Sequence, residues 1–237
     1  MSFLTELIHK KEQQKKGVGV LLDPDKIEPE SFAKRIQETE KRGIDCWLVG
    51  GSLLFQGNFE LTITVLKEYS SLPVLIFPGN NLQVSSRADG LLFLSLLSGR
   101  NPDFLIGQHV IAAPLIRQTN LEVIPTAYLL IDSGSITTAH YMSHTLPIPH
   151  NKPEIAACTA LAGQYLGFQV TYLDGGSGAR QPVSPEMIAA VREYVKTPIF
   201  VGGGIKNKQQ IHNLWNAGAD IVVIGTAIEN GDFKDWW

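Results

Sequence analysis

Eight short apolar runs alternate with helix-type segments along the whole of this 237-residue chain. The runs are GVGVLLDP from Gly17, CWLVGGS from Cys46, PVLIFPGN from Pro73, GLLFLSLLS from Gly90, EVIPTAYLLID from Glu122, FQVTYLDGG from Phe168, PIFVGGGI from Pro198 and DIVVIGT from Asp220. Near-continuous apolar strands separated by helices pair in parallel, because each helix returns the chain to the starting end of the sheet and covers its face. The intervening segments 29–42, 59–69, 102–118, 153–166, 185–195 and 208–217 are punctuated as helices. Several open on Pro or an acidic residue and close on glycine, as in KRGID, YLGFQ and NAGAD. Eight such units, in a chain close to the ~250 residues typical of the fold, predict one (β/α)₈ barrel over residues 1–237. No linker divides it.

The ligand-type residues cluster where strands end. VTYLDGGSGAR (170–180), PIFVGGGIKN (198–207) and DIVVIGTAIEN (220–230) each turn on glycine. Glycine has no Cβ to hold a ligand away, so backbone N–H groups at three such turns can converge on one anion. The loops after strands seven and eight are also the recurrent phosphate site of these barrels. Gly203, Gly204, Gly225 and Thr226 are the expected phosphate contacts. YLDGGSGA adds a carboxylate, Asp174, and a hydroxyl, Ser177. A carboxylate beside a phosphate is electrostatically unfavourable unless it acts on a neighbouring hydroxyl or is neutralised by a cation, which makes Asp174 the candidate base. The plain alternative is an Asp that caps its own loop.

LLDPDK, at the end of the first strand, sets Asp23 and Asp25 around a proline. Hard carboxylate oxygens there suit Mg²⁺, which takes one or two carboxylates while substrate phosphates complete its shell. Asp25 could instead cap the following helix. LVGGS, at the end of the second strand, offers Ser52 as a second point. His140 and His144, four apart in HYMSH, sit among Ser, Thr and Pro that read as loop, and no third ligand accompanies them. They receive no role. The helix carrying His212 and Trp215 reads as an ordinary outer helix. The long connection 132–151 follows a strand, so it belongs on the same face as the glycine turns, where segments of this length tend to be functional lids or flexible excursions.

Composition bounds the partners. The chain has 20 basic and 23 acidic residues, a net charge of −3, so no global field attracts nucleic acid and any anion site must be built locally. Cys46 and Cys158 are too widely spaced for a zinc ribbon or disulfide framework, which makes a reducing cytoplasm the default. The N-terminal segment reads as an amphipathic helix rather than a signal peptide, and the longest apolar stretch, 91–97, is too short to cross a bilayer. Contact with a membrane surface stays open.

Taken together and in this order, LLDPDK, LVGGS, YLDGGSGA, VGGGIKN and VIGTAIEN resemble the geranylgeranylglyceryl phosphate synthase family, whose bacterial relatives include heptaprenylglyceryl phosphate synthases. The similarity runs from about residue 17 to residue 230. It implies a prenyl transfer in ether-lipid biosynthesis, in which the C3 hydroxyl of sn-glycerol 1-phosphate attacks C1 of a polyprenyl diphosphate and pyrophosphate leaves. By the same resemblance Asp23 and Ser52 match Mg²⁺ positions. Tyr172, Leu173, Asp174, Gly175, Gly176, Ser177 and Gly178, with Gly203, Gly204, Gly225 and Thr226, match glycerol-phosphate positions. A homo-oligomer is also implied. The family commonly has Glu where this chain has Asp174, and some bacterial relatives carry Lys where this chain has Leu21. Phe77, Leu94, Phe104 and Tyr128 are candidates for the apolar groove that a prenyl chain needs. Two rivals follow from the phosphate site alone: a sugar-phosphate isomerase or aldolase, which asks for a strand lysine or paired carboxylates, and a barrel that binds a phosphate ligand without turnover.

Overall fold

A computed structural model describes residues 2–26, 28–55, 58–225 and 228. Eight strands form one closed parallel barrel in sequence order: β1 (Gly17–Leu22), β2 (Cys46–Val49), β3 (Val74–Ile76), β4 (Gly90–Leu96), β5 (Glu122–Leu130), β6 (Val170–Asp174), β7 (Ile199–Gly202) and β8 (Ile221–Ile224). β1 pairs with β8 through Gly17 to Val20, which completes the ring. The strand content of the sequence thus folds as expected, with β3 the shortest at 3 residues.

The two-residue period of a strand sorts its side chains into two layers. Cys46, Leu48, Leu75, Leu92, Ile124, Val170, Phe200, Ile221 and Val223 fill the barrel interior. Trp47, Val49, Val74, Ile76, Leu173, Val201, Val222 and Ile224 belong to the layer under the helices. The same parity decides where chemistry can sit: Asp23 continues the inward row of Gly19 and Leu21, and Asp174 continues that of Val170 and Tyr172.

The helices are α1 (Phe3–Glu12), α2 (Pro29–Glu40), α3 (Phe59–Tyr69), α4 (Gln108–Ile116), α5 (Thr138–Ser143), α6 (Pro153–Tyr165), α7 (Pro185–Tyr194) and α8 (Lys208–Ala217). Ser184 and Asn207 cap α7 and α8 through their side chains, and Gly43, Gly167 and Gly218 follow α2, α6 and α8 in the left-handed region that lets a helix stop. Two details depart from the sequence reading. The expected helix 102–118 begins with a π-helical turn at Asp103–Gly107 before α4. The connection 132–151 is not simply a loop: Thr137 caps α5 within it, and Ile148 bridges back to Ile131. His140 therefore lies on a helix, with His144 at its end in the left-handed conformation.

α1 closes the end of the barrel where the strands begin. The amides of Phe3 and Leu4 donate to the two carboxylate oxygens of Glu122 at 2.6 and 2.9 Å, a negative charge at a helix N-terminus, and Leu7 is buried against the interior cluster. Trp215 of α8 donates its indole N–H to the Gly17 carbonyl at 3.0 Å, a structural role as expected of an outer helix. Cys46 is buried and Cys158 exposed, and both are free thiols. Among the described residues no helix is long and apolar enough to cross a membrane.

A buried polar tie fixes β7 to its neighbours at this same end. Asp220 accepts from the Ile199 amide at 2.8 Å and from the Arg192 guanidinium at 3.1 Å. Removing one member strands the other charge in a poorly hydrated place, so Asp220→Ala is expected to cost about 3 kcal/mol of stability, measured by urea denaturation. A loss within experimental error of zero would mean that the pair carries no net weight.

Candidate functional site

The loops at the C-terminal ends of the strands enclose a polar cavity of about 780 Å³. Its wall takes residues from the ends of β1 (Asp23, Asp25, Lys26), β2 (Gly51, Ser52), β6 (Asp174, Gly176 to Arg180), β7 (Gly203 to Lys206) and β8 (Gly225). The segments separated by more than 150 positions in sequence thus meet at one end of the barrel. The sequence-expected residues Asp23, Ser52, Tyr172, Asp174, Gly176, Ser177, Gly178, Gly203, Gly204 and Gly225 all line this cavity. Thr226 lies outside the described residues. Leu173 points outward into the layer under the helices, because it is one position out of phase with Tyr172 and Asp174, so only its backbone can serve a ligand. The Gly175 amide donates to the Gly202 carbonyl at 2.9 Å and the Gly176 amide to Asp174 Oδ1 at 2.8 Å. Those two N–H groups are committed to protein partners. Ser177, Gly178, Gly203, Gly204 and Gly225 are the other expected anion contacts on the cavity wall.

The close approach of the β6 and β7 turns depends on glycine. Gly203 has φ +85°, and a Cβ built there would lie 2.7 Å from the Gly176 nitrogen. Gly176 itself has φ +83°, and its Cβ would lie 2.7 Å from Thr137 Oγ1, just before α5. Side chains at either position would therefore be both strained and sterically excluded. α5 in turn overlies the cavity and contributes Thr138 and Ala139 to its wall. The connection 132–151 thus sits on the face expected of it.

Asp174 is buried at the floor. Its Oδ2 accepts from the Tyr128 hydroxyl at 2.6 Å while Oδ1 holds the Gly176 amide. Burial raises its pKa above the usual carboxylate range, and the Tyr128 and Gly176 hydrogen bonds oppose that rise by favouring the ionised form. Phe77, Tyr128, Tyr172 and Phe200 form an aromatic layer beneath it, with ring centroids 5.1 to 5.9 Å apart. These rings fill the barrel below the carboxylate. The sequence reading placed Tyr128 only in an apolar groove; its hydroxyl partner was invisible because the two residues lie 46 positions apart, on adjacent strands.

A second, apolar cavity of about 110 Å³ adjoins the first and shares Gly51, Ser52, Phe77, Tyr128 and Ala139 with it. Phe77, Leu94, Phe104 and Tyr128, the four expected groove residues, all line it, together with Ala112 and Ile116 of α4. A polar compartment therefore opens onto an apolar one, and Tyr128 stands at the join.

At the end of β1, Asp23 Oδ1 accepts from the Asp25 amide at 3.1 Å and Oδ2 lies 3.1 Å from Lys26 Nζ. The N-cap residue of α2, Glu28, makes no side-chain capping bond, and the Asp25 carboxylate accepts from the Phe55 amide. A Cβ added to Gly51 would stand 3.4 Å from Asp23 Oδ1, so the glycine turn of β2 leaves the carboxylate room on the cavity side. Among the described residues no group of three His, Cys, Asp or Glu side chains could hold a metal by itself.

Fold and site together define a (β/α)₈ barrel with a glycine-lined cavity at the C-terminal ends of its strands and a smaller apolar pocket beside it. The chain belongs to the PcrB family, whose model matches residues 11–236. A curated geranylgeranylglyceryl phosphate synthase from Spirosoma linguale is 54% identical over 215 residues, covering 91% of this chain and 86% of that protein. One from Thermococcus gammatolerans is 46% identical over 223 residues, covering 94% of this chain and 88% of that protein. The crystal structure of (S)-3-O-geranylgeranylglyceryl phosphate synthase from Thermoplasma acidophilum, in complex with its substrate sn-glycerol-1-phosphate, superposes with a TM-score of 0.93 at 33% identity, over 99% of this chain and 94% of that one.

The Tyr128 hydrogen bond stabilises the ionised form of Asp174. Tyr128→Phe is therefore expected to raise the Asp174 pKa further, so that the carboxylate loses its charge at higher pH than in the wild type. Carbon-13 NMR of the carboxyl groups reads this directly. An unmoved Asp174 titration would show that the hydroxyl does not hold the charge.

Proposed function

We propose that the chain is a Mg²⁺-dependent prenyltransferase that joins sn-glycerol 1-phosphate to a polyprenyl diphosphate such as geranylgeranyl diphosphate and releases pyrophosphate. The observation that carries this reading is that a glycine-lined polar cavity holding Asp174 adjoins an apolar one, with Tyr128 lining both and donating its hydroxyl to Asp174. A glycerol phosphate has its charge at one end and its attacking hydroxyl at the other, and a prenyl diphosphate joins a charged head to a hydrocarbon tail. The two cavities match that division, and the names of the relatives above specify the same reaction. None of β1 to β8 contains the strand lysine that an aldolase reading asks for, although Lys26 and Lys206 stand just beyond strand ends.

In this reading the amides of Ser177, Gly178, Gly203 and Gly204 hold the phosphoryl group and so fix the glycerol. The C3 oxygen forms a bond to C1 of the prenyl group as the allylic C1–O bond breaks and the electron pair leaves with pyrophosphate. Asp174 accepts the hydroxyl proton. Its carboxylate must be ionised for this, and its raised pKa makes it a stronger base than an exposed aspartate.

Asp23 and Ser52 would hold the magnesium. The donor set fits: one carboxylate and one hydroxyl at adjoining strand ends are too few for a cation alone but suit Mg²⁺ completed by substrate phosphates and water. Bound there, the ion would offset the charge developing on the leaving diphosphate. The expectations of self-association and of membrane contact find their support in one place, the outward side of the π-helical turn and α4, where Ile106, Val110, Ile111 and Leu115 are exposed.

Incubation with radiolabelled sn-glycerol 1-phosphate and a panel of prenyl diphosphates, with and without Mg²⁺, tests the reading; no labelled prenyl ether with any of them would end it. Asp174→Asn is expected to retain glycerol phosphate binding but lose about tenfold or more in turnover, and unchanged turnover would remove Asp174 from the mechanism. Asp23→Ala is expected to abolish the dependence of rate on Mg²⁺, and an undiminished magnesium response would move the ion elsewhere.

A further inference from the structure

Three carboxylates, Asp23, Asp25 and Asp174, and three cationic side chains, Lys26, Arg180 and Lys206, line the polar cavity among the described residues. The proposed reaction brings two phosphorylated molecules into this one space, so their charge is not offset by the wall as a whole. The placement of each cation then matters more than the total.

Lys206 donates through Nζ to the Arg180 carbonyl at 3.1 Å and thereby ties the loop after β7 to the loop after β6. Lys26 is placed differently. Its Nζ lies 3.1 Å from Asp23 Oδ2 and 3.3 Å from Ser177 Oγ. One ammonium thus spans the cavity mouth, from the carboxylate after β1 to the hydroxyl of the glycine loop after β6. A half-exposed pair such as Lys26 with Asp23 is held by about 1 kcal/mol or less, so the lysine can exchange partners at little cost. A hydrogen bond between an ammonium and a phosphate oxygen carries charge on both sides and is stronger than a contact with a serine hydroxyl. Lysine has three donors, so one ammonium can serve more than one acceptor at a time. Backbone amides supply only partial charges, and Leu21, the inward residue just before Asp23, supplies none.

Building on the transferase reading, we propose that Lys26 is a substrate-binding residue whose ammonium donates to the phosphoryl group of sn-glycerol 1-phosphate seated on the loop of Ser177 and Gly178. It complements the backbone amides with a full positive charge from the opposite side of the cavity.

The test is calorimetric titration of the full-length protein with sn-glycerol 1-phosphate, without Mg²⁺ or prenyl diphosphate, for the wild type, Lys26→Gln and Lys26→Arg, with Tm measured for each. Lys26→Gln is expected to raise Kd by about tenfold or more at unchanged Tm, and Lys26→Arg to recover most of the loss, since a guanidinium also pairs with phosphate. Wild-type binding together with an unaltered Kd for Lys26→Gln overturns the proposal alone. Failure of the wild type to bind sn-glycerol 1-phosphate overturns both this proposal and the transferase reading.

Discussion

The hydrogen bond from the Tyr128 hydroxyl to the Asp174 carboxylate is the constraint around which the rest of the site is arranged. It joins the last inward position of β6 to an inward position of β5, and in water-poor surroundings such a charge-assisted bond contributes about 1.5–3 kcal/mol. It also sets a geometry. With Oδ2 held by the tyrosine and Oδ1 by the Gly176 amide, the carboxylate cannot turn, and the glycine loop is anchored to the group that it serves. Burial makes the carboxylate more basic, while its two partners keep the ionised form within reach.

Barrel closure makes this possible. Because every strand is parallel, every strand end faces the same way, and residues as distant as Lys26 and Ser177 come within hydrogen-bond range. The two ends of the barrel then divide the work. At the N-terminal end, α1 docks on Glu122, and Asp220 gathers Arg192 and the Ile199 amide, contacts that hold the ring together. At the C-terminal end, glycines at positive φ, a committed aspartate and half-exposed lysines give up local stability for an open, polar surface. The aromatic layer of Phe77, Tyr128, Tyr172 and Phe200 lies between these two regimes.

Much of this was legible in the sequence because barrels of this kind write their topology locally. Apolar runs marked the strands, Gly43, Gly167 and Gly218 marked helix ends, and the glycine pairs after β6 and β7 marked turns that line the cavity. The turns at Gly203 and Gly204 needed no partner to be recognised, since glycine alone signals the backbone shape. What escaped was the content of pairs. Tyr128 read as one more aromatic residue until β5 set it beside β6. Lys26 carried no assigned role until the closed barrel set it within 3.3 Å of Ser177 in the loop after β6. Asp25 offered either a metal carboxylate or a helix cap, and its bond to the Phe55 amide comes from another loop that sequence could not place beside it. α5 was hidden because its short run of six residues is bounded by Ser, Thr and Pro, which read as loop unless the fold supplies a surface to pack on.

The central claim is spatial: one molecule of sn-glycerol 1-phosphate spans the glycine turns and the Asp174 carboxylate, with its free hydroxyl directed toward the apolar cavity. A crystal structure of this chain with that compound bound tests it most directly. The account expects the phosphoryl group on the amides of Ser177, Gly178, Gly203 and Gly204, and the C3 hydroxyl within hydrogen-bond distance of Asp174 on the Tyr128 side. A phosphoryl group bound away from those turns, or a C3 hydroxyl directed away from Asp174, would contradict it.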